Sequence, residues 1–387
     1  MKICLDGLRK SAQVFTVAAL ICLTCSMIAV AQAQEALPAL EGLDPVMLVQ
    51  GKEVQGNLKI VVTRGRFQYF FANEVDKTTF EKEPGRYEIQ LGGSCARMGA
   101  PVNGDPDLYT VHQGHIYIFG SGECKRLFEA TPEKYLEDEN ITKSTEVLTP
   151  EAIKKGRDLI EKAVAAMGSP ALVDGLANLQ EKSSSWQTRR GKEVEIKTNQ
   201  IFLFPDMVRT EQVQPDFVNP SVTRETTVVM TANEGFAITP NGILQMPDAN
   251  RINQQNEIKR RPLAILRARK NSDFTVAATG SGKVADTAVE QVVVQIDGMA
   301  HTLGIDPATG RIISITYRRR GPGGAFGEIV KIFSNFRSIN GVTLPFKITA
   351  TFNGQPWTEQ SSSIESIAIN GKIDPALFEK PKTAKVN

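Results

Sequence analysis

"EVEIKTNQIFLF", residues 193–204, sets the fold of the larger part of the chain. Its character alternates from one residue to the next, the period of a β-strand whose neighbouring side chains point to opposite faces. The same period begins near Ser183 and runs on through "RETTVVMTA", "DFTVAAT", "AVEQVVVQI", "RIISITYRR", "GEIVKIFSNFRSI" and "LPFKITATF". Turn dipeptides at Asn241-Gly242, Asp297-Gly298, Asn340-Gly341 and Asn370-Gly371 separate these stretches, as hairpins require. "LAILRARKN" (263–271) reads as a helical interruption. Residues 183–387 are therefore expected to form an antiparallel sheet. Each strand offers one apolar face, and such a face must be covered. Phe202, Phe204, Val229, Val293, Ile313 and Ile315 are candidates to line an apolar cavity on the concave face, with a lipid or acyl chain as its ligand. A sheet closed by its own helices is the other outcome.

Upstream, residues 143–182 read as a linker followed by helices. Thr149-Pro150 opens a leading helix, with proline at the first helical position. Ile153, Leu159, Ile160, Val164 and Met167 follow on one face. Ser169-Pro170 opens a second, short helix. The whole chain is thus α+β. "RRPLAILRARK" (260–270) reads as a solvated basic helix, and "YRRRGPGG" (317–324) as a flexible loop between strands.

A repeat precedes all of this. "FEKEPGRY" at 80–87 returns as "FEATPEKY" at 128–135. At the same offset Tyr69 meets Tyr117, Phe71 meets Phe119, Pro84 meets Pro132 and Tyr87 meets Tyr135. Each unit, 34–90 and 91–142, reads as a hairpin followed by a helix. The hairpins turn at Arg64-Gly65 and Gln113-Gly114, and Asn73 and Ser121 are the helix caps.

Residues 1–33 have the layout of an export signal. "MKICLDGLRK" is basic, "VFTVAALICLTCSMIAV" is apolar, and Ala31-Gln32-Ala33 offers a small-residue cleavage site. Cleavage leaves 42 basic and 42 acidic residues, a neutral balance that gives no support for nucleic-acid binding. It also leaves two cysteines, Cys95 and Cys124, in a periplasmic or secreted protein. No Gly-x-Ser-x-Gly elbow, phosphate loop or dinucleotide fingerprint occurs, so a non-catalytic protein is expected.

The repeat resembles the YHS domain family over residues 41–138. "GLDPVM" (42–47), "YFFANEVDKTTF" (69–80) and "PGRY" (84–87) carry the resemblance in the first copy. "GGSCARMG" (92–99), "YIFGSGECKRLF" (117–128) and "PEKY" (132–135) carry it in the second. The constant offset places Met47 opposite Cys95 and Asp76 opposite Cys124, so the second copy keeps the family's cysteine pair and the first lacks it. One extended YHS-type domain is the alternative arrangement. The C-terminal part is similar to outer-membrane lipoprotein carrier and sorting proteins, and the resemblance implies a curved antiparallel sheet, an open half-barrel with a leading helix. The similarity lies in "AAMGSPALVDGLANLQ" (165–180), "FLFPDMVRTEQ" (202–212), "IDPATGRIISITY" (305–317), "FSNFRSINGVTLPFKI" (333–348) and "IDPALFEKP" (373–381). These are framework patterns and transfer no binding residue.

Cys124 falls in the first turn of its helix, where the outward amides favour a thiolate. With Cys95, and with His112 and His115 flanking a turn, it could bind a transition metal such as zinc, copper or iron. A Cys95–Cys124 disulfide is the competing use in an exported protein. The expected function is an exported binding protein, with a metal ion at the YHS-like module and an apolar or lipid ligand at the sheet. The alternatives are a thiol redox or metal-dependent enzyme using Cys95 and Cys124, and an interaction protein with an envelope partner.

Overall fold

A computed structural model describes residues 36–381 apart from 100–101, 137–148, 190–191, 217–218, 220, 241 and 247. The export-signal reading of residues 1–33 lies outside the described residues, as does most of the linker that opens residues 143–182. Among the described residues no helix is long and apolar enough to cross a membrane.

The repeat is built as two hairpin–helix units. A short strand β1 (Leu37–Pro38) and helix α1 (Pro45–Val49) lead into β2 (Asn57–Arg64), β3 (Phe67–Phe71), α2 (Glu74–Lys82) and the single turn α3 (Pro84–Tyr87). The second copy gives β4 (Asp105–His112), β5 (His115–Phe119) and α4 (Gly122–Ala130), each at the offset that relates Phe80 to Phe128. The caps are those the sequence implies. Asn73 accepts from the amides of Val75 and Asp76, and Ser121 accepts from that of Cys124. Phe80 and Phe128, at the matched place on α2 and α4, are fully buried. The two copies share a core. Ile116 and Ile118 of β5 pack with Phe67, Tyr69 and Phe71 of β3, and Ile89 bridges Ile116 in parallel. Ile116 and Ile118 thus tie the second unit to the first unit's core, while Cys95, Phe119, Phe128 and Tyr135 form a second cluster of their own.

The rest of the chain is a leading helix pair, α5 (Pro150–Met167) and α6 (Pro170–Asp174), and a large sheet. Its first six strands are β6 (Asn178–Arg189), β7 (Lys192–Leu203), β8 (Met207–Pro215), β9 (Thr223–Met230), β10 (Gly235–Thr239) and β11 (Gly242–Gln245). Helices α7 (Asp248–Lys259) and α8 (Pro262–Ala268) follow. The sheet then resumes with β12 (Thr275–Val284), β13 (Thr287–Ile296), β14 (Met299–Ile305), β15 (Ile312–Arg320), β16 (Phe326–Ile339) and β17 (Val342–Phe352). Short β18 (Gln355–Pro356) and β19 (Ser362–Ile369) complete it. All 14 described strands pair antiparallel, in the order β11-β10-β9-β8-β7-β6-β19-β17-β16-β15-β14-β13-β12, with β18 beside β17.

This order explains the helices. One meander runs outward from the centre to β11, and the other returns inward from the far edge at β12 to β19, which closes on β6. The chain must cross from one edge to the other between them, and α7 and α8 occupy that crossing. They lie on the same face as α5. Ile160, Val164 and Met167 of α5 and Leu263, Ile265 and Leu266 of α8 share a core with Val292, Val294, Leu303 and Ile329 of the sheet. Burying such side chains is worth about 1.5–3 kcal/mol each. Where α5 crosses β12, a side chain at Gly156 would come within 2.9 Å of the Ala277 backbone, so the close approach requires glycine.

Three expectations are corrected here. The sheet begins at Asn178, ahead of Ser183, and the helical interruption is a pair of helices starting at Asp248 rather than one segment at 263–271. The 317–324 stretch is also not a free loop. Arg320 donates to the carbonyls of Arg97 (3.1 Å), Gly324 (3.1 Å) and Tyr135 (2.5 Å), pinning the second repeat unit to the sheet. Gly324 has φ +85°, and a Cβ there would overlap the Arg97 carbonyl oxygen.

Candidate functional site

Two places carry chemistry, a thiol pair in the second repeat unit and a cleft on the inner face of the sheet.

Cys95 is fully buried and Cys124 nearly so, and both are free thiols in the structure. Cys124 Sγ accepts from Arg97 Nη1 at 3.7 Å. Burial pushes its thiol up, but hydrogen bonds from Ser121, Arg97 and Cys95 outweigh that and hold it below its ordinary value. The repeat alignment needs adjustment around these residues. Leu43 bridges Gln55 and Ser94 bridges Asn103, so the offset between copies is longer by three ahead of the loop than beyond it. Asp44, not Met47, is therefore the counterpart of Cys95. In the first copy the pair is Asp44 and Asp76. Asp44 is fully buried and accepts from the amides of Val46 (2.9 Å), Met47 (3.2 Å) and Ala72 (2.7 Å). Burial raises its carboxyl, those amides oppose the rise, and the neighbouring Asp76 adds to it.

The four residues suggested as metal ligands do not converge. His112 and His115 face each other across the hairpin turn, and the His112 ring rests edge-on against Phe128 at 6.0 Å. Cys95 lies beside Gly120, beyond the far end of β5. At about 3.3 Å per residue that strand separates Cys95 from the turn by about 15 Å. Among the described residues no three His, Cys, Asp or Glu side chains are grouped to hold a metal ion.

The cleft is about 300 Å³ and lies between α7–α8 and the middle of the sheet, at the lower end of the range for small-molecule sites. Its floor follows strand parity. Leu179, Glu181, Ser183 and Ser185 face it from β6, Thr198, Gln200 and Phe202 from β7, and Val208, Thr210 and Gln212 from β8. Phe333, Leu344 and Ile364 line it from β16, β17 and β19, and Leu263 from α8. The surface is amphipathic, with an apolar group around Phe202, Val208 and Leu263 and a run of hydroxyls and amides along the same strands.

Of the six side chains expected to line a cavity, Phe202 and Phe204 do so. Ile315 is buried in the closed core beneath the helices and is not part of the cleft lining. Val229 faces the other way. Its neighbour Met230 pairs with Val208 on the inner face, which turns Val229 outward against Ile201, Phe236 and Phe378. Val293 likewise sits between Val292 and Val294, which take the inner face. Ile313 falls where the β14–β15 register slips and has no partner in the ladder. A one-residue error in strand phase reverses a side chain's face, and sequence alternation alone did not fix the phase at these three.

The charged residues of the cleft were not foreseen. Glu257 of α7 meets Arg260 Nη1 at 2.7 Å, Arg319 Nη1 at 2.8 Å and Lys331 Nζ at 2.9 Å. Burial would raise its carboxyl, and the charges of Lys331, Arg319 and Arg260 override that and hold it well below the usual range. Burial would lower the Lys331 amine, and Glu257 reverses the shift. Arg261 pairs with buried Glu181 and stacks its guanidinium over the Phe202 ring at 4.2 Å. Arg260, Arg261 and Arg319 all belong to stretches that read as solvated, yet Arg260 is only 4% exposed.

No family model matches the chain, and no curated protein matches it. Similar solved structures include a putative outer membrane lipoprotein-sorting protein domain from Vibrio parahaemolyticus, at 10% identity and TM-score 0.38, covering 58% of this chain and 97% of that one. A DUF1329 family protein from Desulfovibrio piger is 13% identical with TM-score 0.39, covering 59% and 98%. A LolA superfamily protein from Nitrosomonas europaea is 11% identical with TM-score 0.38, covering 58% and 97%.

Proposed function

We propose that the chain is a non-catalytic binding protein of the cell envelope whose sheet receives an apolar ligand, a lipid or acyl chain, in the cleft beneath α7 and α8. The observation that supports this reading is the cleft itself: the crossing helices leave about 300 Å³ open over Phe202, Val208, Phe333 and Leu344 instead of packing the face shut. An apolar chain entering it removes both its own surface and these side chains from water, at about 25 cal/mol per Å². The paired repeat units, read as YHS-like, are pinned to the sheet through Arg320 and offer a surface to an envelope partner.

A plugged variant tests the reading. Gln200 is half-buried and lines the cleft, so Gln200→Trp places an indole in the space a chain would take. Wild-type protein is expected to take up a fluorescent fatty acid, and the variant to bind it at least about tenfold more weakly, a change of about 1.4 kcal/mol. Equal uptake by a variant with wild-type circular dichroism and melting temperature contradicts the proposal.

A second reading has one observation in its favour. Cys124 is hydrogen-bonded to both Arg97 and Cys95, the surroundings of a reactive thiol with a resolving partner. A thiol redox pair would exchange with oxidised glutathione to give a Cys95–Cys124 disulfide and two molecules of reduced glutathione. Alkylation followed by mass measurement across glutathione ratios should then show two thiols lost together. A metal ion held by Cys95 and Cys124 would find no third His, Cys, Asp or Glu ligand among the described residues.

A further inference from the structure

The polar part of the cleft floor has an order that an apolar ligand leaves unused. Strand pairing sets the floor out in rows. Leu179, Phe202 and Val208 lie opposite one another on β6, β7 and β8. Two residues along, Glu181 pairs with Gln200 and Gln200 with Thr210. Two further, Ser183 pairs with Thr198 and Thr198 with Gln212. Residues two apart share one face of a strand, and all nine side chains line the cleft. The floor thus passes from an apolar row to two polar ones over about 13 Å.

Glu181 is held by Arg261, and Gln200 donates to Thr210 Oγ1 at 3.1 Å. Among the described residues the hydroxyls of Ser183 and Thr198 and the side-chain amide of Gln212 make no hydrogen bond. Ser183 is only 8% exposed. A hydroxyl so far withdrawn from solvent, with no protein partner, has lost the bonds it made to water. Ser183 borders the cleft, so it regains a bond from what the cleft contains. An apolar chain cannot supply one, and an oxyanion only accepts. Serine, threonine and glutamine side chains both donate and accept. Another hydroxyl does the same and carries no charge to be desolvated. Several are needed, because these groups are spread over three strands about 4.8 Å apart.

We propose that the cleft takes an amphiphile with an uncharged head of several hydroxyls, a sugar or a glycerol, seated on Ser183, Thr198 and Gln212 while its tail lies along Phe202, Val208 and Leu263. This rests on the reading of the cleft as an apolar-ligand site. Each head hydroxyl adds one neutral hydrogen bond of modest strength, and two or three together give about a tenfold preference over a chain that lacks them.

Calorimetric titration of the full chain with decyl glucoside, decanoyl glycerol, decanol, decanoate and glucose, each amphiphile kept below its micelle concentration, tests the proposal. The two hydroxylated heads are expected to bind at least about tenfold more tightly than decanol or decanoate. In a variant carrying both Ser183→Ala and Thr198→Val, which removes two hydroxyls with little change of shape, their advantage over decanol is expected to shrink at least about threefold. An undiminished advantage in the folded variant refutes the proposal. If decanol matches the hydroxylated heads, the head-group proposal fails and the apolar cleft stands. If decanoate binds more tightly than they do, the head is an anion and the proposal fails likewise. If none of the amphiphiles binds, both readings fail. If glucose binds as tightly as decyl glucoside, the site serves a free sugar and the amphiphile is excluded. The comparison of head groups on the wild-type protein decides the matter even if the variant folds poorly.

Discussion

Glu257→Gln is expected to lower the free energy of unfolding by about 3–5 kcal/mol, the cost of removing one partner from a buried ion cluster. The carboxylate meets Arg260, Arg319 and Lys331, and its side chain is 20% exposed. The amide keeps the shape but loses the charge and one of the two acceptor oxygens, so three cations from the α7–α8 junction, β15 and β16 are left to repel one another. Those elements join the crossing helices to the sheet, and the loss should appear as a lower urea midpoint with an unchanged slope. A change below about 1 kcal/mol would show that water already screens the cluster.

Acidification gives the second large effect. His301 is 2% exposed; burial and then the charge of Arg260 push its imidazole down to about 3, against an ordinary 6.5. The folded value lies below the unfolded one, so the unfolded chain takes up the proton first. The stability tied to a neutral His301 is therefore complete above pH 6.5 and is lost as pH falls toward 3. Between pH 7 and pH 4 the loss is about 3 kcal/mol, at about 1.4 kcal/mol per unit. Glu257 adds its own loss only below its ordinary value of 4.5. Urea unfolding at pH 7, 5.5 and 4 should show this slope in the wild type and most of it gone in His301→Leu. The same slope in both proteins would place the pH dependence elsewhere.

The alternation in "EVEIKTNQIFLF" and the Asn-Gly and Asp-Gly turns made the antiparallel sheet legible, because strand period and turn chemistry are local properties. So were the caps: Thr149 accepts from the Ala152 amide and Ser169 from that of Leu172, at the starts of α5 and α6. The repeat was legible through its aromatic and proline residues. The partner of Cys95 was not, because a three-residue difference in one loop moved the match from Met47 to Asp44, and only the paired bridges reveal it. Helix α7 escaped notice because "DANRINQQNEIK" has no apolar stripe; its place is fixed by the need to cross from β11 to β12. The charged cleft escaped for a related reason. Arg260, Arg319 and Lys331 are spread over α7–α8, β15 and β16, and nothing local distinguishes a cation that will surround a buried Glu257 from one that faces water.

Native mass spectrometry of the protein purified from the envelope of a producing cell, followed by extraction and identification of what it carries, tests the central claim most directly. The account predicts a protein population heavier than the bare chain by the mass of a single-chain amphiphile, released by organic solvent and displaced by decanoate. A protein recovered at the mass of the bare chain, and remaining at that mass after incubation with fatty acid, would contradict it.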